Sequence, residues 1–425
     1  MLTLTPLNAA AILITLAAIL SWINHRFLKL PSSVGLALMG VIASLIIIGL
    51  DAALPAVPLR ATARTLLANV DFHDALMNGM LSFLLFAGAL HVDLDHLARG
   101  KWQVLVLSTL GVAASTLLVG LGLWGLSLLT GLGLAPIWCF VFGALISPTD
   151  PVAVLGVMKS ANTTPALQAT VVGESLFNDG VGVVLFSILL AAAVSGAPFS
   201  AAQAIEAFLL EAVGGALLGL GVGWIGYHAM RAIDDYAVEL LITLAIVMGG
   251  YELAGVVHVS GPVAMAAAGL LIGNQGVHIA MSETTRDHVL KFWSLIDEVL
   301  NAVLFLLIGR LGVALLAEEP MILLIGAACV PLVMAARALS VGAPLMLWGK
   351  LLAFREAFPV FVWGGLRGGV SIAMALSLPV GPYRDIILTA TYVVVLFSVL
   401  VQGATIQGIM ARVQLRPQLS RSARR

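Results

Sequence analysis

The amino-acid sequence predicts an all-α polytopic membrane protein of about 13 transmembrane helices, and three observations carry that expectation. Of 425 residues, 60% are hydrophobic and only 10% are charged, with mean hydropathy +1.07. Water-soluble domains carry roughly a quarter charged residues, so this chain has too little polar surface to cover a globule in water. The apolar residues also gather in runs long enough to cross a bilayer, for which about 20 residues suffice. Finally, the basic residues are distributed very unevenly between alternate loops.

Taken in order, the apolar segments run over residues 6–24, 33–50, 75–92, 102–128, 135–157, 168–194, 205–230, 236–256, 260–275, 291–316, 321–348, 356–379 and 384–411. Lipid cannot satisfy exposed backbone groups, so spans of this kind must be helical. If the N-terminus is outside, the odd-numbered loops and the tail face the cytoplasm and hold 15 of the 21 basic residues. The outer loops hold three, Arg60, Arg64 and Arg384, and Arg310, Arg337 and Arg367 lie within spans. Such a bias is the positive-inside signature. It orients the chain with its N-terminus outside and its C-terminus cytoplasmic, in a cell (inner) membrane. Residues 1–425 read as a single membrane domain ending in a short basic cytoplasmic tail, 412–425. No basic stretch precedes the first apolar run, so no cleaved signal peptide is expected.

A net charge of −1 gives no reason to expect a nucleic-acid partner. Cys139 and Cys329 sit inside apolar runs and read as small core hydrophobes, and the histidines show no ligand spacing. Gly215, Gly219 and Gly223 recur every four residues on the seventh span, a small-residue stripe suited to close helix packing.

Polar residues inside spans carry the functional signal, because a charge at bilayer depth costs from about 3 to more than 10 kcal/mol. Four places concentrate them. In the fifth span, Ser147-Pro148-Thr149-Asp150-Pro151 places two prolines around a carboxylate. Proline removes a helix donor and disfavours helix at the residue before it, which frees carbonyls such as that of Ser147. A broken helix at mid-membrane with an acid beside it is how secondary transporters bind cations; the plainer reading is a proline kink. In the sixth span, Glu174 with Asn178 and Ser175 with Asp179 form i,i+4 pairs on adjoining faces. These oxygens suit a hard monovalent cation; the plainer reading is bonding between helices. In the twelfth span, Gly364-Gly365-Leu366-Arg367-Gly368-Gly369 weakens the helix around an arginine that needs a carboxylate. Glu174 is the expected partner. Breaks in spans 5 and 12, one per half of the chain, hint at an inverted repeat. In the tenth span, Asp297, Glu298 and Asn301, with Arg310 further along, form either an access funnel or an interhelix salt-bridge set.

Together these motifs resemble the sodium/proton antiporters of the NhaP and NHE type. The resemblance rests on S-P-T-D-P-V-A-V at 147–154, G-E-S-L-F-N-D-G at 173–180, F-W-S-L-I-D-E-V-L-N-A-V-L-F-L-L-I-G at 292–309 and W-G-G-L-R-G-G-V-S at 363–371, with F-A-G-A-L-H-V-D-L at 86–94. The motifs occur in order and span nearly all of the membrane region. The resemblance implies a thirteen-span antiporter fold with inverted repeats and with unwound, crossed fifth and twelfth helices. It also implies a homodimer in which a transport domain rocks against a dimerisation domain. The family's Asn-Asp pair falls on Asn178-Asp179, with Asp179 as the shared ion and proton carrier. Its cation ligands fall on Thr149, Glu174, Ser175 and Asp179, with Asp150 close by, and its arginine on Arg367. Arg310 stands where the family usually keeps an apolar residue, and the large cytoplasmic tail of animal members is absent.

The expected mechanism is competition between cation and proton for Asp179. Since Asn178 beside it is neutral, one Na⁺ or Li⁺ for one H⁺ without net charge transfer is expected. No cofactor is implied, and no phosphate-cradling G-x-x-x-x-G-K-[ST] loop occurs. Two alternatives stand beside this reading. One is a K⁺/H⁺ antiporter of the same fold. The other is an intramembrane aspartyl protease using Asp150 and Asp179, although its usual G-x-G-D setting is missing.

Overall fold

A computed structural model describes residues 6–30, 32–53, 79–151, 154–155, 157–158, 163–196, 200–315, 320–347 and 351–411. Each of the thirteen apolar segments contains helix among its described residues. In chain order the helices are α1 (Pro6–Ile23), α2 (Ser32–Ala53), α3 (Leu81–Leu90), α4 (Leu94–Arg99), α5 (Lys101–Ser108), α6 (Leu110–Thr130), α7 (Pro136–Ile146) and α8 (Pro165–Ser195). There follow α9 (Ala201–Arg231), α10 (Tyr236–Val256), α11 (Gly261–Leu271), α12 (Glu283–Leu315), α13 (Pro320–Leu347), α14 (Leu351–Trp363), α15 (Gly369–Leu376) and α16 (Arg384–Phe397). Among the described residues, seven spans are long and apolar enough to cross a membrane on those grounds alone. Their outer faces carry exposed large apolar residues such as Leu129, Val256 and Leu347, which suits lipid as the surrounding medium. Arg60, Arg64 and the 412–425 tail lie outside the described residues, as does the side chain of Arg310.

Local chemistry sets the helix starts. Thr164, Ser200, Asp235 and Ser260 each accept from a backbone N–H in the first turn of the helix that follows, the role of an N-cap. Prolines open α7 and α8, where a missing N–H costs nothing. Two segments differ from their hydropathy limits. α12 begins at Glu283, eight residues before the apolar run, because Ser282 caps it through the N–H of Thr285 (3.4 Å) and its first turns are polar. The fourth span is two helices that meet at Thr109, whose hydroxyl turns back to the Leu105 carbonyl (2.5 Å).

Two large apolar cores hold the bundle. One gathers residues of α6, α7, α8, α13 and α16, among them Phe142, Leu145, Phe186 and Tyr392. The other joins α3, α9, α10, α11 and α12 around Phe86, Met230, Met265 and Trp293. The Trp293 indole donates to Thr243 (3.0 Å) and packs on Phe86 at 4.7 Å between ring centroids. The glycine stripe of α9 lies against α11, with Gly215 facing Ser260, Gly219 facing Ala264 and Gly223 facing Ala268.

The fifth and twelfth spans are interrupted where the sequence breaks them. α7 ends at Ile146, and the twelfth span divides into α14 and α15 on either side of Gly364–Gly368. The two unwound stretches meet. The N–H of Asp150 donates to the Leu366 carbonyl at 2.7 Å, forming the isolated antiparallel bridge between them.

A leucine at Gly219 would drive α9 away from α11. Overpacking of this kind costs about 1–3 kcal/mol, so Gly219→Leu should lower the thermal midpoint of the detergent-solubilised protein. Gly221→Leu, at an exposed position with nothing within 4 Å, should leave the midpoint unchanged in the same thermal-shift measurement.

Candidate functional site

The crossing is held by one arginine and one glutamate, though they are not partners of each other. Arg367, 2% exposed, turns its guanidinium onto the carbonyls of Ser147 and Pro148, the latter at 3.0 Å. Its own N–H donates to the Ser398 hydroxyl (2.8 Å). The carbonyls freed by the prolines are therefore taken by an arginine of the other broken span. Ser147 is further tied to α6 and α7 through Ser115 (3.0 Å) and the Gly143 carbonyl (2.7 Å).

The expected Arg367–Glu174 ion pair is not formed. Glu174 is instead held by both terminal nitrogens of Arg337, at 2.8 and 3.1 Å. Both side chains are buried, 7% and 2% exposed, and the Nε of Arg337 donates to the Phe361 carbonyl (3.1 Å). The reason is geometric: the unwound segment carries Arg367 to the opened carbonyls of the fifth span, while α13 brings Arg337 beside α8. Arg337 was visible in the sequence as a charge inside the eleventh span, and its need for a carboxylate was the signal to follow.

Asn178 links this pair to the break. Its amide nitrogen donates to Glu174 (3.0 Å) and to the Thr149 hydroxyl (2.7 Å), and its oxygen accepts from the Thr149 N–H (3.2 Å). The Ser175 hydroxyl donates to the Thr149 carbonyl and lies 3.1 Å from its hydroxyl. The i,i+4 pair of Glu174 and Asn178 is thus a real hydrogen bond on α8.

In front of this network lies a cavity of about 100 Å³. Its polar lining comes from Thr149, Asp150, Asp179, Asp297, Asn301 and Ser371, and apolar wall from α3 and α8 closes it. Glu174 and Ser175 stand behind this lining. Oδ1 of Asp179 is buried and has no hydrogen-bond partner among the described residues. Buried polar atoms are nearly always satisfied, so this orphaned oxygen marks where a ligand's charge would rest. Asp297 and Asn301, hydrogen-bonded at 3.1 Å, enter from α12, whereas Glu298 is exposed and outside the lining. The glycines of the twelfth span allow the close approach: a Cβ at Gly368 would lie 2.7 Å from Cβ of Asp150, and one at Gly365 would lie 2.6 Å from Nε of Arg337.

Comparison with known proteins gives the site a context. The family model described as "Sodium/hydrogen exchanger, transmembrane" matches residues 12–412. The chain is 45% identical to the Na⁺/H⁺ antiporter NhaP of Pseudomonas aeruginosa, over 98% of this chain and 99% of that protein. It is 34% identical to the Na⁺/H⁺ antiporter NhaH of Halobacillus aidingensis, over 92% and 94%. Among solved structures it resembles the sodium proton antiporter MjNhaP1 from Methanocaldococcus jannaschii at pH 8, with TM-score 0.73, 21% identity, and coverage of 96% and 99%.

Removing one member of the Arg337–Glu174 pair strands a buried charge, which typically costs about 3–5 kcal/mol. Arg337→Leu should therefore destabilise the protein severely in a denaturation or thermal-shift assay. Adding Glu174→Gln to that variant should recover much of the loss.

Proposed function

This chain belongs to the sodium/hydrogen exchanger family, and we propose on that premise that it is a secondary active transporter exchanging Na⁺ or Li⁺ for H⁺, not an enzyme. The observation that carries the reading is the orphaned carboxylate oxygen of Asp179, facing a small cavity beside two crossed, unwound helices. Broken helices at the membrane midplane are where secondary transporters bind substrate and coupling ions.

The mechanism follows from charge. An ionised carboxylate is costly inside a protein unless a counter-charge accompanies it. Asp179 therefore changes its exposure from one side of the membrane to the other with a cation or a proton bound, and not empty. Each ligand must displace the other, which makes exchange obligatory. Asp150 and Thr149 stand close enough to share the cation. Glu174 and Ser175 support the site from behind, Glu174 with both oxygens engaged by Arg337. Arg367 stays with the opened carbonyls. Because the neighbour of Asp179 is the neutral Asn178, one cation exchanges for one proton and no net charge moves.

The transporter works as a homodimer in the cell (inner) membrane, with its N-terminus outside and its basic C-terminal tail in the cytoplasm. The orientation is supported by the 15 basic residues assigned to one side against three on the other. Na⁺ is supported by the names of the relatives; the alternative cargo is K⁺, since the oxygen ligands are the same.

In proteoliposomes loaded with a pH-sensitive dye, Na⁺ and Li⁺ should dequench fluorescence in the wild type and Asp179→Asn should abolish the response. A response to K⁺ alone would change the cargo and keep the mechanism, and silence with every cation would remove the antiporter reading. Competition also requires the apparent KM for Na⁺ to rise as the pH is lowered. An imposed membrane potential should leave the exchange rate unchanged; acceleration would rule out one-for-one stoichiometry.

A further inference from the structure

Ser371 sits on the third turn-side position of α15, two residues past the second glycine pair of the twelfth span. It is 1% exposed, and its hydroxyl oxygen has no hydrogen-bond partner among the described residues. Yet it lines the same cavity as Asp179. Two orphaned, buried oxygens from residues lining one cavity are unusual, because leaving a buried polar group unpaired costs about 1–3 kcal/mol. A serine needed only for packing would be replaced by alanine without loss. Asp297, hydrogen-bonded to Asn301, lines the same cavity from α12.

We infer that the cation is held in this cavity, with the Ser371 hydroxyl as a direct ligand together with Asp179 and with Asp297 holding it from α12. This inference rests on the antiporter reading above. Among the described residues, no three acidic, histidine or cysteine side chains converge tightly enough to cage a metal. The cavity has space for Asp297 to act through a bridging water, which needs only about 10–15 Å³. A hydroxyl is a neutral oxygen donor and tunes size preference among Na⁺, Li⁺ and K⁺. The Asp297 carboxylate sets affinity by charge and ties the ion to α12, so an occupied site joins α12 to α8 and α15.

The experiment uses the full-length protein, with Ser371→Ala and Asp297→Asn compared with wild type. Thermal midpoints are followed against Na⁺, Li⁺ and K⁺ concentration, since a bound ion stabilises the state that binds it. Dye-based exchange in proteoliposomes then gives KM and maximal rate. Without added cation, Ser371→Ala should be as stable as wild type or more so, because it removes an unpaired hydroxyl. Its Na⁺-dependent stabilisation should shrink, and its KM for Na⁺ should rise roughly tenfold, the usual worth of one lost polar contact. KM should change more than maximal rate, and the Na⁺/Li⁺/K⁺ order should shift. Asp297→Asn should raise KM for all three cations alike. Unchanged KM and unchanged cation-dependent stabilisation in both variants would overturn the inference. So would a loss of cation-free stability in Ser371→Ala, which would make the hydroxyl structural. If wild type exchanges ions, Asp179→Asn is inactive and both variants match wild type, this inference falls and the antiporter reading stands. If wild type exchanges nothing, both fall.

Discussion

Lipid offers no hydrogen bonds, so backbone opened at Ser147–Pro151 and at Gly364–Gly368 has to be satisfied by the protein itself. The chain meets this constraint by crossing the two openings. Asp150 and Leu366 share a backbone hydrogen bond, and the guanidinium of Arg367 takes the carbonyls that the prolines release. One positive group thereby answers two needs, capping exposed acceptors and bringing a cation to a centre crowded with carboxylates. Glycine is required here because side chains on Gly365 and Gly368 would strike Arg337 and Asp150.

A second chain of contacts ties this centre to its surroundings. Arg337 on α13 holds Glu174 on α8, Glu174 accepts from Asn178, and Asn178 grips Thr149 on both its hydroxyl and its backbone. The unwound strand is thus fixed by a buried network in which each polar group has a partner. Buried networks of this kind are rigid when complete. Two of the buried oxygens left without a partner among the described residues, on Asp179 and Ser371, belong to residues that line the cavity in front of that frame. Other buried polar atoms without a partner among the described residues, such as the Glu239 carboxylate and the Tyr392 hydroxyl, belong to residues outside the cavity lining.

The cavity is lined by residues of α3, α8, α12 and α15 together with the unwound stretch of the fifth span. An ion site lined by several helices can be reached from either side of the membrane if those helices shift relative to one another, as alternating access demands. Under the proposed mechanism, neutralisation of Asp179 by cation or proton is the condition that lets the shift proceed.

Much of this was legible in the sequence, and the reason differs by feature. Hydropathy placed thirteen helical segments because lipid imposes one secondary structure on apolar runs of that length. Proline and glycine located both breaks, since they act on the backbone wherever they stand. The i,i+4 spacing gave the Glu174–Asn178 bond because both residues ride one helix. Partnerships between helices were another matter. Which arginine would meet Glu174, whether Asp297 or Glu298 would turn toward the cavity, and that Ser371 would be left unpaired beside Asp179 depend on how distant helices rotate and approach. That rotation is fixed by side chains packed from several spans at once. The sequence determined by itself which residues had to be reconciled with lipid; only the tertiary structure decided with whom, because ion pairs and cavities form between elements whose separation along the chain carries no information about their distance in space.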